Sequence, residues 1–345
     1  GVVYRNISSD NFAEINDLLG GQYFVNYDYF ENKPYDANEA DMKKQKGDKW
    51  NYFYSLKSNV GEAFSQLEFT FKKAELFIAG RYHYTDVQRE GKYNYPLYSD
   101  SYGKGAMQVQ NGVSTKAGIT YALTGRHLLQ LNVGYFNTPQ SLRNIYANIR
   151  NSNRLLPNLK NELAYSADAS YIFRMPYLKG RLTGFFTEIE NTAETNFFYT
   201  ETAITDEIDK DFVAQTVDGI QKRHFGLEFG AEAQLHPTVK LTAAAAIGQY
   251  TYINNPSLYI SAGDVNKAID EVKMKNYHVP SGPQQAYSLG LEYRNPKYWW
   301  VGATANFLAQ NYVSLSALNR TSQFFIDPAT KAPYSNIDLN KAQIG

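Results

Sequence analysis

The chain contains no cysteine. That excludes a disulfide framework, a thiolate metal site and a cysteine nucleophile, and it suits passage through an oxidising periplasm. Charge of one sign is not in excess either: 34 Lys and Arg balance 34 Asp and Glu. The basic surplus of a nucleic-acid binder is therefore missing. No run of about 18 apolar residues occurs, which excludes a membrane helix. It does not exclude a membrane barrel, whose strands are apolar only at every second residue. From Gly1 onward there is no basic segment followed by an apolar one, so no signal peptide is read.

Catalytic and metal-binding patterns are also missing. The histidines His83, His127, His224, His236 and His278 fall at no ligand spacing. There is no Gly-x-Ser-x-Gly elbow and no glycine-rich phosphate loop. The acidic run Asp206-Glu207-Ile208-Asp209-Lys210-Asp211 lacks the glycine and the ligand alternation of a calcium loop and reads as a solvated loop. Neither enzyme activity nor a metal or other cofactor is expected.

Tyrosine, in contrast, is abundant: 29 Tyr and 20 Phe. Tyrosine favours strands and membrane–water boundaries, where its ring is apolar and its hydroxyl wet. The dominant pattern has period two. Phe225, Leu227, Phe229, Ala231, Ala233 and Leu235 alternate with His224, Gly226, Glu228, Gly230, Glu232 and Gln234. This places one strand face against apolar surroundings and the other against polar ones. The same pattern recurs over 67–71, 129–135, 163–174, 287–294 and 299–307.

Short turns near 72–74, 123–126, 175–179, 236–238 and 295–297 alternate with long polar segments near 89–105, 138–160, 191–220, 255–282 and 311–337. Short, long, short, long is the meander of an outer-membrane barrel. Several alternating runs reach the ~9–11 residues a tilted strand needs to cross a bilayer, against about 5–6 for soluble strands. The expected fold is all-β: a transmembrane antiparallel up-and-down barrel over residues 1–345 as a single domain, with about ten to twelve strands. A passive porin-like channel and a soluble β-rich surface binding protein are the alternatives.

On this pattern Arg81, His83, Asp168, Glu228, Glu232, Glu292 and Arg294 face the lumen, solvated in an open channel or paired with a plug. Recognition would fall to the long loops. Tyr93, Tyr95, Tyr98 and Tyr102 cluster in one, and Arg143, Tyr146, Arg150 and Arg154 in another. Tyrosines stack on sugars or aromatic chelators, and arginines hold carboxylates or phosphates. Packing of loop on loop is the other use of the same residues.

Pro157-Asn158-Leu159-Lys160-Asn161-Glu162, leading into the strand Leu163 to Arg174, resembles the Pro-x-Leu-Lys-Pro-Glu signature of TonB-dependent receptors, with Asn161 at the usual second proline. The hairpin from Gly219 to Tyr252, with Gly226-Leu227-Glu228-Phe229, resembles the next unit of that family, especially of its long-looped Bacteroidetes-type members. Pro283 to Tyr293 and Tyr298 to Tyr312 resemble the one after it. The resemblance is clearest from Asn51 to Arg320. It implies TonB-powered import of a scarce or bulky nutrient: an iron chelator, haem, a cobalamin, a glycan or a peptide. It also implies outer-membrane lipid around the barrel, a plug domain coupled to TonB, and in some members a surface lipoprotein. Neither a plug nor a TonB box is read here, and the strand count falls short of the 22 of a plugged transporter. The chain also stops at Ile344-Gly345 without a closing strand. The expectation is the later, C-terminal barrel portion of a longer receptor.

Overall fold

The computed structural model describes residues 1–157, 159–200, 204, 208, 212–280 and 282–322. Its principal strands are β1 (Val2–Glu14), β2 (Lys49–Thr70), β3 (Ala74–Gly91), β4 (Gln108–Thr124), β5 (His127–Thr138), β6 (Glu162–Arg174) and β7 (Leu178–Tyr199). They continue as β8 (Phe212–His236), β9 (Val239–Tyr252), β10 (Ser257–Ala262), β11 (Val265–Glu271), β12 (Gln285–Arg294) and β13 (Trp300–Ala309). Among the described residues, β1–β9, β12 and β13 form one continuous antiparallel meander, each strand beside the next along the path. The all-β up-and-down architecture is as the alternation predicts, and the sheet is an open part of a barrel. Among the described residues its outer strands, β1 and β13, each pair on one side only.

Register sorts the two faces. Leu131 lies opposite Ala169, Leu182 opposite Phe229, and Phe186 opposite Phe225. Leu227 opposes Ile247 in the next pair. This face stays uncovered: Leu227 is 57 % and Leu289 55 % exposed. A soluble sandwich would bury such residues under a second sheet. A contiguous apolar band of this kind needs lipid.

Three features depart from the sequence reading. The first is β1 and the long connection 15–48, neither of which the alternation shows. Register puts Val3, Arg5 and Ile7 on one face and Val2, Tyr4 and Asn6 on the other. Apolar residues occur on both, so no period stands out.

The second is strand length. Residues 191–199 and 212–220, expected as loop, are paired strand. Strands β7 and β8 run for 22 and 25 residues, beyond the ~9–11 that cross a bilayer. Past the membrane, pairing resumes beyond a register break at 189–194 and goes on satisfying backbone groups, but the lipid-against-lumen alternation ends. Val213, Ala214, Gln215, Thr216 and Val217 are all buried.

The third is the segment 255–282, which holds the hairpin β10–β11. Strand β10 pairs with the extension of β8. Leu258, Ile260, Ile269 and Val272 of this segment pack with Val213, Val217, Ile220 and Tyr252 into a hydrophobic core at the loop end of the sheet.

Candidate functional site: a loop-end cavity

The connections at the loop end fold onto one another through buried polar anchors. Arg89, near the top of β3, is the centre of one set. Its Nε donates to the Ile149 carbonyl (2.7 Å) and its two terminal nitrogens to the Arg150 carbonyl (2.7 Å), Asn153 Oδ1 (2.6 Å) and the Ser101 carbonyl (3.2 Å). Burial lowers its pKa to about 10, and its guanidinium lies 5.0 Å from the Tyr54 ring centroid. Tyr54, Leu56, Val87, Ile145 and Tyr146 pack as a small core beside it. Gln140 donates to the carbonyls of Lys160 and Asn191, and Asn144 to that of Ala193, fastening segment 139–161 to β7.

Segment 15–48 is held by Asp28. Its Oδ1 accepts from the amides of Phe30 (3.0 Å) and Glu31 (3.3 Å), an Asx-type turn, and its Oδ2 accepts from the Tyr95 hydroxyl (2.8 Å). The Tyr35 ring lies 5.4 Å from Tyr95, and Tyr95 lies 5.7 Å from Tyr98. The Tyr98 hydroxyl accepts from Asn148 (3.1 Å). Burial, reinforced by Asp28, pushes the Tyr35 phenol up to about 12 and raises that of Tyr95 further. Tyr93 donates to the Lys49 carbonyl (2.7 Å). Burial and the nearby carboxylates of Glu39 and Asp36 push its phenol up to about 12 as well.

These elements enclose a cavity of about 450 Å³. Tyr35, Tyr95 and Tyr98 form its wall, and Phe30, Tyr199 and Phe212 its rim. Phe30 is 82 % exposed and sits 5.6 Å from Tyr199, ring to ring. Asp28, Glu31, Arg150, Asn51, Asn148 and Asn151 supply the polar lining. A concave site with mostly aromatic walls and a few polar groups is the usual form of a small-molecule site.

The residues singled out in the sequence divide unevenly. Tyr95, Tyr98 and Arg150 line the cavity. Tyr93 lies beside it on Lys49, and Tyr102 is exposed away from it. Tyr146 is fully buried in the small core and offers no surface to a ligand; its ring was needed for packing. Arg154 pairs instead with Asp264 at the tip of β10–β11, donating to its carbonyl (2.7 Å) and lying 3.6 Å from its carboxylate. Arg143 falls in the turn Leu142–Asn144, and its side chain lies outside the described residues. So does the acidic run 206–211, apart from Ile208. Asp28, Phe30, Tyr35, Tyr199 and Phe212 were missed. The available signal was aromatic density: Tyr23, Phe24, Tyr27, Tyr29, Phe30 and Tyr35 within thirteen positions.

The residues expected in the lumen share one face by register. Asp168 accepts from Asn132 (2.9 Å). Glu232 sits between Lys179 (3.1 Å) and Lys240 (3.9 Å), and Glu292 between Arg294 (2.5 Å) and Lys240 (3.9 Å). Glu228 and Asp168 line one shallow concavity with Arg181. Arg81 and His83 lie near Glu62 on β3 and β2. The two ring nitrogens of His83 and Nε of Arg81 find no partner among the described residues. No group of three or more His, Asp or Glu gathers as a metal site among the described residues.

The family model for the TonB-dependent receptor-like β-barrel matches residues 3–343. No curated protein matches the sequence. Among solved structures, the siderophore receptor PiuA from Acinetobacter baumannii superposes with a TM-score of 0.55 at 17% identity, over 82% of this chain and 36% of that one. The ferric-catecholate import receptor Fiu from K12 E. coli gives 0.53 at 15%, over 89% and 40%. The copper transporter OprC gives 0.51 at 15%, over 80% and 38%. At these identities the likeness is one of fold, and the chain spans about two fifths of the length of each. The match over nearly its whole length means that the chain belongs to the TonB-dependent receptor β-barrel family, whose members are outer-membrane receptors and transporters and not enzymes.

Proposed function

We propose that this barrel is the membrane part of a receptor that captures a scarce or bulky nutrient at its loop end and imports it with energy delivered through TonB. The observation that carries this reading is the loop-end cavity, walled by Tyr35, Tyr95 and Tyr98 and braced by hydrogen bonds between separate loops. Bracing supports capture because a site ordered before binding loses less entropy on binding. The solved neighbours are described as a siderophore receptor, a ferric-catecholate receptor and a copper transporter, which fits high-affinity uptake of this kind.

In this reading a plug domain, distinct from residues 1–345, occupies the lumen and meets the polar face that carries Arg81, His83, Asp168 and Glu228. The inner-membrane TonB complex acts through that plug. Lipid faces the apolar band, and a surface lipoprotein would sit over the loop end. Further strands pair the edges of β1 and β13, because lipid offers no hydrogen bonds to an open edge.

The test is uptake by cells carrying or lacking the full-length receptor. Labelled ferric chelates, haem, cobalamin, oligosaccharides and peptides are presented with and without a protonophore. Receptor-dependent uptake that collapses with the protonophore is the expected result. Receptor-dependent uptake that persists would make the protein a passive channel. Arg143, Arg150 and Arg154 replaced together by Ala reduce uptake through Arg150; unchanged uptake would remove the arginines from capture.

A further inference from the structure

We infer that the polar face of the sheet carries an oxyanion site between Arg81 and Lys116, and that its occupant is a carboxylate side chain of the plug domain; this rests on the reading that a plug fills the lumen. Register brings the two cations together. Arg81 on β3 lies opposite Phe64 of β2 and Ser114 of β4, and Ala79, two residues before it, lies opposite Lys116 of β4. Residues two apart on a strand share a face, so Arg81 and Lys116 project to the same side from neighbouring strands. Two small residues flank Lys116, Ala79 on β3 and Gly134 on β5. They leave room for a concavity of about 550 Å³, walled by Phe64 and Phe136.

Charge decides what fits this concavity. Arg81 and Lys116 are its charged lining residues, and no carboxylate joins them. Among the described residues neither cation forms an ion pair. Two carboxylates on the same face of β2 are engaged elsewhere: Glu62 pairs with Arg5 (3.3 Å), and Glu68 accepts from Gln66 (2.6 Å). Two cations in a partly desolvated recess repel, and an anion between them relieves the repulsion. The Arg81 guanidinium offers a planar fork that matches both oxygens of a carboxylate, and the Lys116 ammonium adds a point charge beside it.

Burial favours a resident occupant over a solute in transit. His83, two residues beyond Arg81 on the same face, is 1 % exposed, and neither of its ring nitrogens has a partner among the described residues. The Arg81 Nε is buried and unpartnered there too. Polar groups buried without partners cost free energy for as long as they remain so. A solute would relieve that cost only while passing. A domain that stays in the lumen relieves it throughout.

The test is zero-length cross-linking of the full-length receptor, purified in detergent, with a water-soluble carbodiimide. This reagent joins a lysine amine to a carboxylate in contact with it, and peptide mass mapping identifies the pairs. The expected product joins Lys116 to an Asp or Glu outside residues 1–345. Arg81→Glu removes most of it. Lys116→Arg, which keeps the charge but not the amine, abolishes it and leaves hydrogen exchange of the plug unchanged. Arg81→Glu combined with Lys116→Glu speeds exchange in the plug segment that was cross-linked. Heat-modifiable migration confirms that the variants fold. Lys179 and Lys240, also on the polar face, serve as comparison. Links from either of them to residues outside 1–345, without one from Lys116, overturn the site and leave the plug reading standing. Lys116 joined to Glu62 or Glu68 overturns the site as well, since the wall then neutralises itself. No link from any of the three lysines to residues outside 1–345 overturns the plug reading too. The reaction is repeated in excess citrate. Citrate carried on Lys116 in place of a plug carboxylate assigns the site to a dissolved anion and overturns the resident occupant.

Discussion

Arg89 reaches two loops at once, and its effect should be correspondingly local. Its fork donates to three carbonyls and one side-chain amide from segments 92–107 and 139–161. Arg89→Met leaves the Ser101 carbonyl and Asn153 Oδ1 buried and unpaired, at about 1–3 kcal/mol each, and frees the partly buried carbonyls of Ile149 and Arg150. The expected outcome is fast hydrogen exchange in both segments with no change in the membrane strands. Arg89→Lys should not rescue, because an ammonium cannot span the same fork.

The loop tyrosines give a pH dependence. Tyr35 and Tyr93 titrate near 12 in the folded protein and Tyr95 is raised too, against about 10 for an unfolded tyrosine. The folded state holds these protons more tightly. Its advantage is therefore complete below about pH 10 and is lost as pH rises toward 12. Loop protection from protease should fall across that window, together with the rise of phenolate absorbance. Tyr95→Phe should lose part of this dependence along with its bond to Asp28. Protection unchanged up to pH 12 would contradict the burial of these phenols.

At the scale of the element, the hairpin β10–β11 reaches from β9 to loops that begin beside β3 and β5. Its tip turns at Gly263, whose φ of +53° is left-handed and whose Cα faces the Leu97 carbonyl, 3.0 Å from where a Cβ would sit. Asp264 Oδ1 then accepts from the Ser99 amide (2.9 Å) and hydroxyl (3.0 Å). The tip is thus a latch over Leu97, which also lines the loop-end cavity. Asp264→Ala removes the carboxylate that Ser99 and Arg154 share. Spin labels at the hairpin and at the 92–107 loop should then show a broadened distance distribution. Arg154→Ala should broaden it less, since the ion pair is partly exposed and such pairs contribute about 0–1 kcal/mol. Equal broadening would shift the latch from Ser99 to the arginine.

For the whole molecule, the division between lipid and polar faces is the governing constraint. Leu227 and Glu228 are neighbours in β8 but lie on opposite faces. Leu227→Arg should cost about 2–4 kcal/mol if it lies near the bilayer midplane, while Glu228→Arg should cost little. Urea unfolding of the full-length receptor in lipid vesicles measures both. Equal costs would contradict the assignment of the faces. Alternation made this division legible: the strands over 129–135, 163–174 and 225–235 stand where their periodicity puts them. Alternation fails where the chain leaves the bilayer, because a strand buried on both faces, like 213–217, has no period to read.

Composition and local pattern alone determined the class of this protein: all-β, membrane-spanning, without cysteine, with short turns at one end and long connections at the other. Those properties follow from neighbours two residues apart, and bilayer and lumen impose them on every strand alike. The site was decided by tertiary structure. Asp28 meets Tyr95 across 67 positions, and Ser99 meets Asp264 across 165. Nothing local distinguishes Tyr95, which walls the cavity, from Tyr102, which does not, or Arg150 from Arg154. Which side chains line a cavity depends on how separate loops close over one end of a sheet, and that closure is set by buried anchors far apart in the chain.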